Sequence, residues 1–209
     1  MYSKVSEDGK NVVLSNGTNH PIIGFGTYKI GFVPASSNTA GNAVAAGYRY
    51  FDCAQFYGNE AMVGAALKDC GVPRAELFLV SKVWGDKMFE GKDAILAQLE
   101  TTLTDLQTDY LDAYLIHWPI PAGKHVEAYK VLEGAYDAKK IRAIGLSNYT
   151  VEDYLELEAA NIRIPPVVNQ QIEVNPFLYR PKTLAFFAGK NVAIQSYRAL
   201  RQETPNPES

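Results

Sequence analysis

Four side chains able to move or hold a proton stand at or just beyond the ends of apolar runs: Asp52 in "YRYFDC", Tyr57 five residues later, Lys82 in "LFLVSKV" and His117 in "LDAYLIHW". Taken singly, each has an ordinary explanation. Asp52 could cap a helix, Lys82 could be a solvated surface cation, His117 could be a satisfied core histidine, and Tyr57 is one of 13 tyrosines. As a set they have a definite chemistry. A phenol near pKa ~10 is a poor acid at neutral pH. A nearby ammonium favours the phenolate and is expected to lower that value towards the range where general acid catalysis works. The ammonium needs a carboxylate to hold it, and Asp52 is the candidate. A histidine beside them can hydrogen-bond a carbonyl oxygen and orient it. This is equipment for protonating a developing alkoxide.

Other apolar runs end in Ser147 with Asn148, in Gln170 or Gln171, and in Tyr197. Amides at these places suit the carboxamide of a nicotinamide, and carbonyl reduction needs hydride from such a cofactor. No metal is expected, because the chain has no His-x-x-x-His, no CxxC and no carboxylate pair at ligand spacing. His20 and His125 fall in loop-like sequence and receive no role.

For such scattered residues to act together, the elements must bring their run ends to one place. β-Branched and aromatic runs alternate with helical patterns, which reads as successive βα units around a parallel sheet. The runs are "IIGFGTY", "YRYFDC", "LFLVSKV", "LDAYLIHW", "RAIGLSN", "PVVNQQIEV" and "VAIQSY". An Asn16-Gly17 pair ahead of them signals a hairpin. Met62, Val63, Ala66, Leu67 and Cys70 form one helical stripe stopped by Gly71. Ile95, Leu96, Leu99, Leu103 and Leu106 form another, with Asp93 placed to cap it, and Thr150 with Asp153 suggests a capping box. A parallel barrel gathers all C-terminal strand ends on one face. An open doubly wound sheet usually starts with a glycine-rich phosphate loop, and no G-x-G-x-x-G or P-loop occurs here. The fold expected is therefore α/β, a (β/α)8 TIM barrel with an N-terminal hairpin.

Composition narrows the function classes. A net charge of −3 over 209 residues gives no support for nucleic-acid or membrane-surface binding. The polar start "MYSKVSEDGK" lacks a signal peptide pattern and no run approaches a membrane span, so the cytoplasm is the expected location. Cys53 and Cys70 are expected to stay reduced.

"GFGTYK", "RYFDCAQFYGNE", "LFLVSKVW", "LDAYLIHWP", "IGLSNY", "VVNQQIEVNPF" and "IQSYRAL", in that order, resemble the successive motifs of the aldo-keto reductases, the aldose and aldehyde reductase-like enzymes, over roughly residues 12–200. The resemblance implies NAD(P)H-dependent reduction of aldehydes or ketones to alcohols in a barrel that binds the cofactor across its mouth. It implies Tyr57 as proton donor, Lys82 and Asp52 as its tuning pair, and His117 as the group that orients the substrate carbonyl. Gly26, Thr27, Tyr28, Asp52, Ser147, Asn148, Gln171 and Tyr197 are the implied cofactor contacts. Tyr28, Trp84, His117 and Trp118 are the implied substrate contacts. NADPH is the family default, with NADH open, and the partner is a small carbonyl compound.

Two features depart from the family pattern. "NQQIE" carries one glutamine more than usual, and an insertion is better tolerated at a strand's start, which favours Gln171 over Gln170. The chain also runs from "QSYRALRQ" into "ETPNPES", against about 250 residues for such a barrel. The expectation is a truncated domain over residues 1–200, with about seven of eight strands and without the last strand and helices, and a disordered polar tail over 201–209. Open barrel edges would make such a chain marginally stable or self-associating. Two rivals stand beside carbonyl reduction: a Schiff-base aldolase using Lys82 as nucleophile, and a catalytically impaired member that binds cofactor without turnover.

Overall fold

The computed structural model describes residues 4–31, 38–120 and 123–199, and of residues 168–171 it describes the backbone. All seven predicted runs contain a strand: β4 (Phe25–Gly26), β5 (Tyr50–Asp52), β6 (Phe78–Val83), β7 (Ala113–Ile116), β8 (Ile144–Ser147), β9 (Val168–Glu173) and β10 (Ala193–Tyr197). They form one parallel sheet in sequential order from β4 to β10. Between them run α1 (Thr39–Ala45), α2 (Glu60–Lys68), α3 (Gly85–Glu90), α4 (Lys92–Asp105), α5 (Lys124–Asp137), α6 (Val151–Ala159) and α7 (Pro181–Gly189). A sequential parallel order with helices between neighbours is the barrel's topology. The sheet curls accordingly, since the Tyr50 hydroxyl on β5 lies 2.6 Å from Gln195 Oε1 on β10. Among the described residues β4 and β10 are the sheet's two edges. The predicted tail, 201–209, lies outside the described residues.

Period-2 alternation divides the apolar residues into two layers. Tyr50, Phe78, Val80, Ala113, Leu115 and Ala143 make the inner core. Phe51, Leu79, Tyr114, Ile116, Ile144 and Leu146 pack on the other side with the helices. Full burial of each Val, Leu, Ile or Phe among them contributes roughly 1.5–3 kcal/mol. The inner layer mixes two large rings with alanines, and the Tyr50 and Phe78 rings meet edge-on at 5.4 Å. The Tyr50 ring also lies against Gly24, where an added Cβ would stand 2.3 Å from Tyr50 Cδ1.

The Asn16-Gly17 signal is a hairpin turn as expected. Gly17 has φ +84°, Asn16 Oδ1 accepts from the Thr18 amide at 3.0 Å, and β2 (Asn11–Val13) pairs antiparallel with β3 (Asn19–Pro21), while β1 (Lys4–Val5) adds a third strand. This small sheet closes the floor of the barrel. Leu14 joins the inner core, and the His20 ring meets Tyr50 and Phe78 edge-on at 4.9 and 4.8 Å.

The extra residue of "NQQIE" appears as an irregularity of register. Gly145 pairs with Val168 but the next residue, Leu146, pairs with Gln170; on the other side Ala193 pairs with Val168 and Ile194 with Gln170. Asn169 is thus the unopposed residue on both flanks, as in a β-bulge. Beyond it Gln171 is level with Ser147 and Gln195.

Local expectations change at four places, the first being His20, which is a buried residue of β3 and not in a loop. Asp93 does not cap α4: Gly91 holds that position at φ +102°, and Asp93 lies in the first turn, where it opposes the helix dipole favourably. His125 is helical rather than in a loop, buried in α5 with Nδ1 3.2 Å from the Tyr149 hydroxyl and Nε2 3.2 Å from Glu156. The Thr150–Asp153 capping box forms reciprocally, each side chain bonding the other's backbone N–H. On α2 the buried face is Glu60, Val63, Gly64 and Leu67, so the apolar stripe is displaced by a carboxylate and a glycine. Glu60 accepts from Ser81 Oγ at 2.5 Å and Thr102 Oγ1 at 3.0 Å, and burial pushes its carboxyl above the usual range. Gly64 is required by packing, because a Cβ there would lie 2.1 Å from the Asp105 carbonyl oxygen.

Candidate active site

Asp52 is the last residue of β5, and Tyr57 ends the single 3-10 turn, Gln55–Tyr57, that follows it. Gly58 at φ +64° reverses the chain and sends it into α2. Lys82 lies near the end of β6, and His117 directly follows β7. Parallel strands thus place all four at one mouth, and local turns hold them there. Gln55 ties the Tyr57 turn to the next loop, accepting from the Trp84 amide at 2.8 Å and donating to Asp86 at 3.1 Å. Asn59 Nδ2 donates to the carbonyls of Thr27 and Ile30 at 2.8 and 3.1 Å.

Lys82 is the centre of the set. Its side chain has no solvent exposure, and Nζ donates to Asp52 Oδ1 at 2.6 Å, to the Cys53 carbonyl at 2.8 Å and to the Tyr57 hydroxyl at 3.3 Å. Burial opposes the charge on Lys82, but the Asp52 carboxylate and the Tyr57 phenol outweigh it, and the pKa lies above the ordinary lysine value. A protonated, carboxylate-paired amine is a poor Schiff-base nucleophile.

Tyr57 differs from the sequence-based expectation. Burial raises its pKa above 10, and the opposing pull of Lys82 does not cancel that. The group is a neutral phenol whose conjugate base has a cation waiting beside it. His117 is pushed down to about 3, first by burial and then by the Lys82 charge, so it is a neutral imidazole at physiological pH. Its Nδ1 is buried with no hydrogen-bond partner among the described residues.

Ser147 closes β8 and Asn148 follows in the left-handed region at φ +62°, a conformation asparagine tolerates better than other L residues. Asn148 Nδ2 donates to the His117 carbonyl at 2.9 Å and to Ser147 Oγ at 3.0 Å, while its Oδ1 accepts from the Tyr197 hydroxyl at 3.0 Å. Ser147 Oγ therefore still has its own proton to give.

A cavity of about 1380 Å³ is bordered by Asp52, Tyr57, His117, Ser147, Asn148 and Tyr197, and also by Gly26, Tyr28, Trp84 and Trp118. Thr27 does not border it. That residue is buried behind the site, where Oγ1 and N both donate to the Asp52 carbonyl at 2.9 and 3.0 Å. The Gln171 side chain lies outside the described residues. Tyr28 meets the Tyr57 ring at 5.0 Å, and Trp84 meets His117 edge-on at 5.0 Å. Phe56, half-exposed, stacks on Trp84 at 4.3 Å. Sequence reading missed Phe56, Gln55 and Asn59; the position of Phe56 between Asp52 and Tyr57 was the available signal.

The aldo/keto reductase family model matches residues 22–204. The chain is similar to a glyoxal reductase of Bacillus subtilis (strain 168), 38% identical over 191 residues that cover 91% of this chain and 67% of the relative. It is similar to the methylglyoxal reductase DkgB of Salmonella typhi, 37% identical over 86% of this chain and 67% of the relative. The crystal structure of an aldo/keto reductase from Brucella melitensis superposes with a TM-score of 0.85 at 31% identity, covering 93% of this chain and 75% of that one. The chain thus spans about two thirds of the length of these curated relatives.

Proposed function

The chain belongs to the aldo/keto reductase family and is an oxidoreductase for carbonyl compounds, and from that premise we propose that it reduces aldehydes to alcohols with NADPH, Tyr57 supplying the proton. The observation that carries this reading is the fully buried Lys82 ammonium held between Asp52 Oδ1 and the Tyr57 hydroxyl. When bound, the nicotinamide supplies hydride to the carbonyl carbon. The chain's own residues do the rest.

His117 donates its one N–H to the substrate oxygen and orients the carbonyl; with a pKa of about 3 it stays neutral and is not the proton source. Tyr57 gives its proton to the oxygen as negative charge develops there. The phenolate left behind lies 3.3 Å from Lys82 Nζ, so the ammonium stabilises the state after transfer more than the state before it. This assigns Lys82 to the product of the proton transfer rather than to a lowered resting pKa. Asp52 keeps the ammonium in place.

The residues present fit a nicotinamide. The Ser147 hydroxyl has a proton to donate, the Tyr197 ring borders the cavity, and Gly26 has open space where a Cβ would be. Ser147, Asn148 and Gln171 would hold the carboxamide, the register of Gln171 level with Ser147 being the support for choosing it over Gln170. Tyr28, Phe56, Trp84 and Trp118 give the substrate end an aromatic wall, and the named activities of the relatives point to short α-oxoaldehydes as first substrates.

The test is Tyr57→Phe, which keeps the ring and removes the proton. Turnover of NADPH with glyoxal or methylglyoxal should fall by ~10²–10⁴-fold, with NADPH affinity, read by quenching of its fluorescence, unchanged. Near-normal turnover would remove Tyr57 as donor.

A further inference from the structure

Glu60, the first residue of α2, follows Tyr57 by three residues, and Ser81 directly precedes Lys82 on β6. Period 2 turns Lys82 inward with Val80 and leaves Ser81 on the outer face with Leu79, under the helices. There the Ser81 hydroxyl gives its proton to Glu60 Oε1 at 2.5 Å, and Thr102 Oγ1 of α4 gives its own to Oε2 at 3.0 Å. Thr102 Oγ1 in turn accepts from Gln98 Nε2 at 3.4 Å, so its proton is not contested. Each carboxylate oxygen thus has a donor of its own, and Glu60, Ser81 and Thr102 are all buried.

These bonds close a ring around the reacting pair. It runs from Tyr57 to Glu60 along the chain, from Glu60 to Ser81 by hydrogen bond, from Ser81 to Lys82 through one peptide, and from Lys82 Nζ back to the Tyr57 hydroxyl at 3.3 Å. A second tie flanks the pair on the other side, where Gln55 accepts from the Trp84 amide at 2.8 Å. That tie is only partly buried, and water can stand in for a lost partner there. The Glu60–Ser81 tie is buried between sheet and helices, where a lost partner is not replaced. We propose that Glu60 is a positioning residue of the reaction: through Ser81 it sets the distance between Tyr57 and Lys82 from outside the barrel wall. The inference rests on the reading of Tyr57 as proton donor and of Lys82 as the cation that receives the phenolate. The bond to Tyr57 is the longest of the three that Lys82 makes, so a small shift of the Tyr57 turn breaks it first, while Asp52 and the Cys53 carbonyl keep the ammonium in place.

The test is Ser81→Ala, which removes the hydroxyl with little change of volume, beside Glu60→Gln. In Ser81→Ala the kcat for methylglyoxal reduction should fall ~10-fold, a 1 Å misplacement costing up to ~10²-fold, with KM and NADPH affinity unchanged. In the cofactor-free chain the nuclear Overhauser contact between the Tyr57 ring and the Lys82 side chain, whose Nζ lies 5.0 Å from the ring centroid, should be lost. Glu60→Gln should keep both readings near the wild type, because whichever way the amide turns it meets Ser81 with an oxygen or an N–H. Tyr129→Phe is the control for lost stability: it removes a 2.7 Å bond to the Ile164 carbonyl, between α5 and the loop ahead of β9, and should leave both readings unchanged.

A wild-type contact in Ser81→Ala would overturn the proposal. So would its loss in Tyr129→Phe, which would mark general loosening, or in Glu60→Gln, which would make the charge and not the tie the cause. In a Tyr57→Phe background Ser81→Ala should cost no further activity, since it acts through the phenol; a further fall of the same size would also overturn it. The NMR reading needs no turnover. An inactive Tyr57→Phe with a silent Ser81→Ala would sink this inference alone, whereas an active Tyr57→Phe would sink the mechanism on which it rests.

Discussion

Lys82→Met tests the site at its centre. The substitution keeps an unbranched side chain of similar length and removes a charge with zero exposure, together with bonds of 2.6, 2.8 and 3.3 Å. Asp52, with 11% of its side chain exposed, would be left without its cation. Breaking a buried pair from one side costs about 3–5 kcal/mol, a large share of the ~5–15 kcal/mol that holds a domain together. Urea unfolding at pH 7 of the wild type, Lys82→Met, Asp52→Asn and the double variant checks this. The double variant removes both charges, so its loss should fall short of the sum by about 1–3 kcal/mol.

The pH dependence of the same variant has a definite sign. The folded pKa of Lys82 lies above its ordinary value of 10.5, so its stabilising contribution is complete below that value and is lost as pH rises through the folded pKa. Lys82→Met should flatten the alkaline fall in stability. A variant within about 1 kcal/mol of the wild type, with the same alkaline profile, would refute the buried pair as a structural and electrostatic unit.

On the acid side His117 reverses the sign: its pKa drops from 6.5 to about 3, so the stability it contributes is present above pH 6.5 and lost as pH falls towards 3. His117→Gln should make that acid fall shallower by a few kcal/mol, about 4 at most, measured as urea midpoints between pH 7 and 3. Gly64→Ala drives a methyl into backbone of the α4 end, 2.1 Å from the Asp105 oxygen and 2.7 Å from Leu106 Cα. Since neither can rotate away, α2 and α4 must separate, and a loss of about 3 kcal/mol in chemical denaturation is expected; an unchanged midpoint would mean the two helices are not in that contact.

The strands were legible because period 2 and β-branched composition are local signals, and the positions of the residues at their ends came with them. Thr150 and Asp153 were legible for the same reason, since a capping box is closed within four residues. All but one of the failures were long-range, the exception being the start of α4. Asp93 has the residue type of a cap, but Gly91 two positions earlier could adopt the positive φ the chain needed there. His125 looked like loop sequence, and its burial depends on Tyr149 and Glu156 from later elements. The resting pKa of Tyr57 required knowing how deeply it is buried, which no spacing reports. Glu60 reads as a surface charge until Ser81 and Thr102 are placed beside it.

The Tyr50 ring, seated against Gly24 and edge-on to His20 and Phe78, binds distant positions to a common fate. Gly24 cannot grow while the ring is there, and the ring cannot shrink without leaving a hole that a glycine is too small to fill. A survey changing one position at a time would therefore record each as intolerant and would miss the shared reason. Lineages that exchange the tyrosine for a smaller residue would be free to enlarge Gly24 afterwards, and only in that order. The interior is in this sense a ratchet on sequence drift, and the family's history at these positions should read as a few joint volume states rather than as independent columns.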